Sequence, residues 1–125
     1  MRFSFILLAA GNSNRFKSNL PKPYHEIGGK TLIELSLNKI RRFNEFKKII
    51  IVCNTKHTKY LKKINLKKIT IINGGKTRQQ STFNALNYLQ KKNIVNKVLI
   101  HDAARPGFSL NLIKKILIES KKNDV

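Results

Sequence analysis

The sequence predicts an α/β fold, a mostly parallel sheet flanked by helices, and three observations lead there. Short, continuous, β-branched apolar runs recur along the chain, and runs apolar on both faces suit strands buried inside a parallel sheet. Segments with helical spacing separate those runs, and strand–helix alternation with short connections gives a doubly wound sandwich with right-handed crossovers. At 125 residues and 41% hydrophobic, the chain has the material for one domain with its own core, residues 1–125.

The first strand is predicted over residues 3–9, an apolar run that stops at Gly11. A polar loop follows to Tyr24. Residues 31–43 have helical spacing, with Leu32, Leu35 and Ile40 near one face and Thr31 and Glu34 placed as a capping box. The second strand is residues 48–53 (K-I-I-I-V-C), followed by a short helix over 56–63. The third strand is 69–72 (I-T-I-I). A helix over 77–90 carries Phe83, Leu86 and Leu89, with Thr77 and Gln80 in the same capping relation. The fourth strand is 97–101 (K-V-L-I-H), and a helix over 109–121 carries Leu112, Ile113, Ile116 and Leu117. The chain ends at Asn123-Asp124-Val125, where a further parallel strand is expected, so the sequence reads as truncated or partial. Neither an internal repeat nor a linker nor a low-complexity tract interrupts it.

The charge is unusual: 26 Lys+Arg against 6 Asp+Glu, a net +20. Such a balance suggests a polyanionic partner, whether nucleic acid, acidic membrane or phosphorylated substrate. The cations are mainly lysines, however, scattered as pairs such as Lys47-Lys48 and Lys114-Lys115 beside the apolar runs. That pattern describes solvated faces, without the interleaved aromatics of a nucleic-acid-reading stripe. The single Cys53 closes a predicted strand as a buried structural thiol; one cysteine makes neither a disulfide framework nor a zinc site, which fits a reducing cytoplasm. No apolar run approaches the length of a membrane span. Met1-Arg2 before residues 3–10 imitates a signal peptide, but that apolar core is of minimum length, and Gly11 to Lys22 reads better as a functional loop.

In open α/β sheets ligands bind beyond the carboxyl ends of the strands. The segments leaving the strands are residues 11–24, 54–55, 73–78 and 102–107. The first belongs to L-A-A-G-N-S-N-R-F-K-S-N-L-P-K-P-Y, residues 8–24. A glycine there lets backbone N–H groups approach phosphate oxygens, while Arg15 and Lys22 answer the charge of a triphosphate. This is not a Walker loop, because no Gly-Lys-Ser/Thr follows, and the second and third glycines of the dinucleotide fingerprint are missing. The signal gains strength from its companions: Pro21-Lys22, Gly74-Gly75 with Arg78, and H-D-A-A-R-P at 101–106. Plainer readings stand beside each. Gly74-Gly75 reads equally as a turn, Asp102 and Arg105 as a structural pair, and His101 as a core histidine satisfied by backbone. Tyr24 and Phe16 read as packing residues.

The full set resembles the 2-C-methyl-D-erythritol 4-phosphate cytidylyltransferase family of the non-mevalonate isoprenoid pathway, over its nucleotide-binding first half. The resemblance implies a Rossmann-like nucleotidyltransferase sandwich that transfers CMP from CTP to methylerythritol 4-phosphate with Mg²⁺ and releases pyrophosphate. Arg15 and Lys22 then match the family's transition-state stabilisers. Ala9, Ala10 and Gly11 match the backbone that wraps the nucleotide; Gly75, Arg78 and Ser81 match base- and ribose-side contacts. Asp102, Ala103 and Arg105 match the segment near ribose and metal, with Asp102 on Mg²⁺ directly or through water. The resemblance implies no specific nucleic acid, no membrane, a cytoplasmic location and a homodimer in the full-length protein. Ser13 stands where the family carries a second glycine, and Pro23 where it carries glutamine. The family draws its acceptor-phosphate contacts and dimerisation arm from its second half, so this chain is expected to encode CTP recognition. Two alternatives remain at this point. One is a ribitol 5-phosphate or other sugar-phosphate nucleotidyltransferase; the other, of a different class, is a small basic nucleic-acid-binding protein.

Overall fold

The computed structural model describes residues 3–11, 20–93 and 97–122. Its centre is β1 (Phe3–Ala9), a strand with all seven residues buried. A hairpin follows, β2 (Glu26–Ile27) and β3 (Lys30–Thr31), then α1 (Leu32–Ile40) and β4 (Phe46–Cys53). The remaining elements are β5 (Ile69–Asn73), α2 (Arg78–Lys91), β6 (Lys97–Asp102) and α3 (Leu110–Lys122). Single stretches of 3₁₀ helix occupy Lys22–Tyr24 and Thr55–Leu61. The main sheet is parallel throughout, in the order β5-β4-β1-β6. The chain builds outward on one side of β1 and then crosses to the other, so the direction of winding reverses between β1 and β6. Such a reversal opens a crevice at the carboxyl ends of the strands.

Residue alternation on β1 divides the core. Phe3, Phe5, Leu7 and Ala9 join Ile49, Ile51 and Cys53 and pack against Ile33, Leu37 and Ile40 of α1 and Ile113 and Leu117 of α3. Ile6 and Leu8 join Ile50 and Val52 against Ala85 and Leu89 of α2. Cys53 is fully buried, as a structural thiol requires.

The four main strands lie where the apolar runs place them. Several other features differ. The face of α2 is not the one its large apolar residues suggest: Ser81, Ala85 and Leu89 are buried, whereas Phe83 is 60% and Leu86 39% exposed. Small residues at i and i+4 let α2 approach the sheet, so the inward stripe is marked by size rather than hydrophobicity. The capping box of α1 is complete, with the Glu34 N–H donating to Thr31 Oγ1 and the Thr31 N–H to Glu34 Oε1, both at 3.2 Å. At α2 only half forms: the Gln80 N–H donates to Thr77 Oγ1 at 3.0 Å, but the Gln80 amide turns to Asn84 Oδ1. Finally, β2 and β3 are joined by Gly28 (φ 62°) and Gly29 (φ 85°), a two-residue turn with both residues in the left-handed region. Among the described residues no helix is long and apolar enough to cross a membrane.

Candidate functional site

A cleft of about 880 Å³ opens at the carboxyl ends of the strands. Its β1 wall is Leu8, Ala10 and Gly11; the loop after β4 adds Asn54, Thr55 and Lys56. The turn after β5 and the start of α2 supply the residues from Gly74 to Arg78, then Ser81, and β6 closes the far side with Asp102. Three cations, Lys56, Lys76 and Arg78, face a single carboxylate among these walls. The opening is therefore electropositive, suited to a highly charged anion carried with a divalent cation.

The two glycines after β5 are there for space. The Gly74 N–H donates to Cys53 O at 2.9 Å, continuing the β4–β5 ladder. A Cβ on Gly74 would collide with Ala10 Cβ and stand 2.9 Å from Ser81 Oγ; one on Gly75 would collide with the Gln80 side chain. Ser81 is buried, and its Oγ accepts the Gly75 N–H at 3.1 Å, so this hydroxyl holds the glycine turn against the first turn of α2. Gly11 is different. No described atom lies within 4 Å of where its Cβ would be, and its φ lies outside the left-handed region. Among the described residues neither packing nor torsion calls for glycine there, and Gly11 lines the cleft.

Asp102 ends β6 directly beside Leu8 of β1. Its Oδ1 accepts the Ala104 N–H at 2.9 Å and its backbone carbonyl accepts the Arg105 N–H at 3.1 Å. Oδ2 lies 4.0 Å from Arg105 Nε, a loose contact with the Arg105 side chain 77% exposed. An exposed pair at that separation adds little to stability. The carboxylate thus keeps one oxygen available, and a lone carboxylate combined with substrate phosphates is how Mg²⁺ is commonly held, so the residues fit that ion. No cluster of three or more His, Cys, Asp or Glu occurs among the described residues. Ala103 is fully buried, its N–H donating to Leu8 O at 2.9 Å, which ties β6 to β1 beside the cleft.

The structure therefore brings Ala10, Gly11, Gly75, Arg78, Ser81 and Asp102 to one cleft, with Arg105 beside Asp102 and Ala9 and Ala103 buried behind. Lys22 starts the 3₁₀ turn after the loop, half-buried, and is not among the described residues that line the cleft. Arg15, Ser13 and Phe16 lie outside the described residues. Tyr24 packs as expected, 2% exposed, stacked 5.0 Å from Tyr60 and 6.0 Å from His57. Burial, reinforced by Cys53 and Tyr60, pushes its phenol well above the usual range, and burial raises the Cys53 thiol too, so neither is an anionic nucleophile. His101 is held by backbone, its Nε2 2.5 Å from Arg105 O. Asn54, Thr55, Lys56, Lys76 and Thr77 were not singled out from the sequence. Their residue types are ordinary, and only their place after strand ends marks them.

The family described as 2-C-methyl-D-erythritol 4-phosphate cytidylyltransferase matches residues 3–124. A bifunctional enzyme IspD/IspF of Pelagibacter ubique is 52% identical over 124 residues, covering 99% of this chain and 33% of its own length. A 2-C-methyl-D-erythritol 4-phosphate cytidylyltransferase of Thermosipho africanus is 37% identical, covering 93% of this chain and 53% of its own. Among solved structures, the 4-diphosphocytidyl-2C-methyl-D-erythritol synthase of Anaerococcus prevotii superposes with a TM-score of 0.77 at 32% identity, over 98% of this chain and 52% of its own. The bifunctional IspDF of Campylobacter jejuni gives 0.79 at 31% identity, over 98% of this chain and 31% of its own. The chain thus spans between a third and about half the length of these curated relatives. Matched over nearly its whole length, and carrying the strand-end cleft described above, the chain belongs to the 2-C-methyl-D-erythritol 4-phosphate cytidylyltransferase family.

Proposed function

We propose that this chain binds CTP with Mg²⁺ and serves the transfer of CMP to 2-C-methyl-D-erythritol 4-phosphate, with release of pyrophosphate, in isoprenoid biosynthesis. The observation that carries this reading is the convergence of Gly11, Gly75, Arg78, Ser81 and Asp102 on one electropositive cleft where the winding of the sheet reverses. In the reaction an acceptor phosphate oxygen forms a bond to the α-phosphorus as the bond to the bridging αβ oxygen breaks, and pyrophosphate leaves with that electron pair. Little covalent chemistry falls to the protein, which must position the reactants and stabilise charge.

Gly11 and the backbone of Ala9 and Ala10 take the phosphates, in the room a side chain at Gly11 would fill. Gly75, Arg78 and Ser81 contact the base and ribose side, with Ser81 fixing the glycine turn and Arg78 open to the ligand. Asp102 would hold Mg²⁺ together with the triphosphate, with Ala103 and Arg105 beside it; the ion's charge would offset that accumulating on the phosphoryl oxygens. Arg15 and Lys22 are assigned to the transition-state charge. The reading also places the chain in the cytoplasm, and the longer protein as a homodimer.

Titration calorimetry with CTP, UTP, GTP and ATP in Mg²⁺ tests the nucleotide. CTP should bind the tightest, by at least about tenfold, which is ~1.4 kcal/mol; a chain that binds none of them, or prefers a purine, overturns the assignment. The acceptor is tested by joining this chain to the remainder of the Pelagibacter relative and supplying CTP with either methylerythritol 4-phosphate or ribitol 5-phosphate. Pyrophosphate release with the first is expected; release with ribitol 5-phosphate alone would replace the acceptor.

A further inference from the structure

We infer that Lys39, at the end of α1, is a positioning residue that fixes the Asp102–Phe108 loop and, through it, the carboxylate of Asp102. The inference rests on the reading that Asp102 faces the nucleotide and its Mg²⁺. Lys39 is half-buried, yet among the described residues no carboxylate pairs with it. Its ammonium instead donates to two backbone carbonyls of the loop, Pro106 O and Phe108 O, the latter at 2.8 Å. It also sits 4.9 Å from the centre of the Phe108 ring. Taking an ammonium partly out of water is costly unless its donors are satisfied, and here two loop carbonyls accept two of its three N–H groups.

The contacts run onward to the site. Phe108 meets His101 edge to face at 4.7 Å, and His101 Nε2 lies 2.5 Å from Arg105 O. The Arg105 N–H returns to Asp102 O, and the Ala104 N–H holds Asp102 Oδ1. Every one of those links except Lys39 is local, between residues of the strand end and its own loop. Lys39 is the side-chain tie that reaches the loop from α1. Without it, among the described residues, the 102–108 turn is held to the body by the Ala103 N–H on Leu8 O and by side-chain packing. The Asp102 rotamer, fixed by the Ala104 N–H, then follows whatever turn the loop adopts.

Two readouts test this on the 125-residue chain. The first is amide hydrogen exchange at Ala104 and Arg105. Lys39→Met keeps the apolar stem and removes the donors, and should speed both amides about tenfold while the β1 and β4 amides stay as they were. Lys97→Met is the matched control, because Lys97 also donates to a backbone carbonyl, Ser120 O, at the far end of β6; it should leave Ala104 and Arg105 unchanged. Unchanged exchange in Lys39→Met, or an equal rise in the control, overturns the positioning role. The second readout is CTP affinity in Mg²⁺, expected to fall about tenfold in Lys39→Met and to recover to within about threefold in Lys39→Arg. In an Asp102→Asn background Lys39→Met should add less than twofold, since its effect passes through that carboxylate. A full tenfold loss in both backgrounds marks Lys39 as a general structural residue and overturns the proposal. Should Lys39→Met not fold, Lys39→Gln, which keeps one donor group, carries both measurements. A wild-type chain that ignores CTP sinks the proposed function, while the exchange measurement still decides the loop.

Discussion

Gly74 and Gly11 are both glycines at strand ends, and they are glycine for opposite reasons. Gly74 is crowded: a methyl group would strike Ala10 and press on Ser81. Gly74→Ala should destabilise the chain by about 1–3 kcal/mol through overpacking and weaken CTP binding as the turn shifts, read by denaturant titration and calorimetry. Gly11→Ala, with no described atom to strike, should keep its stability and lose CTP affinity alone. A Gly11→Ala chain that unfolds, or one that binds CTP normally, contradicts the cleft assignment. For the two cations of the first loop the expected loss is in rate: Arg15→Ala or Lys22→Ala, in the chain extended with the Pelagibacter remainder, should lower turnover about a hundredfold, ~3 kcal/mol, with a smaller effect on CTP affinity. Unchanged turnover in both variants would remove them from the mechanism. At this scale the sequence was informative where a residue type was rare for its place. A lone acid at a strand end in a chain with 6 acids, or a glycine after an unbroken apolar run, stands out. Asn54, Thr55 and Lys56 did not, because polar residues after a strand are unremarkable until the cleft is seen.

Among the elements, strands were legible because continuous apolar runs leave no polar alternation to blur them, although burial on both faces holds for β1 and most of β4 while β5 and β6 are partly exposed. The helix starts were legible from their caps. Thr31→Ala removes one half of the reciprocal box of α1 and should cost about 1 kcal/mol in thermal or denaturant unfolding, since the Glu34 N–H loses its partner. Thr77→Ala removes a single bond and should cost no more. What escaped the sequence has a physical cause in each case. The β2–β3 hairpin is two residues a side, too short for a period to register, and only Gly28-Gly29 announces it. The inward face of α2 did not show because Ser81 and Ala85 carry its approach to the sheet beside Leu89, and small residues give a weak periodic signal. The 56–63 helix proves to be a 3₁₀ stretch, Thr55–Leu61, opened by the Asn54 side chain accepting the Lys56 N–H at 3.0 Å.

Over the whole molecule the +20 charge acts as a long-range field rather than as a reading surface. Duplex DNA or heparin should bind weakly and without sequence preference, with most of that affinity lost between ~50 and ~200 mM salt. Calorimetry with CTP should keep a measurable affinity over the same interval, because its contacts are short-ranged within the cleft. Affinity for one DNA sequence that survives at the upper salt would revive a nucleic-acid role. The sheet order has a different consequence. β1 precedes the other described strands in sequence yet lies inside the sheet, and its two neighbours are encoded far downstream: Ile6 pairs with Ile50 and with Ile100. As the chain leaves the ribosome, the β4 edge of this apolar strand stays open until residues 46–53 follow, and the β6 edge until residues 97–102. Folding of so non-local a parallel sheet is slow, and its early intermediates present a sticky hydrophobic ribbon that chaperones would have to shield.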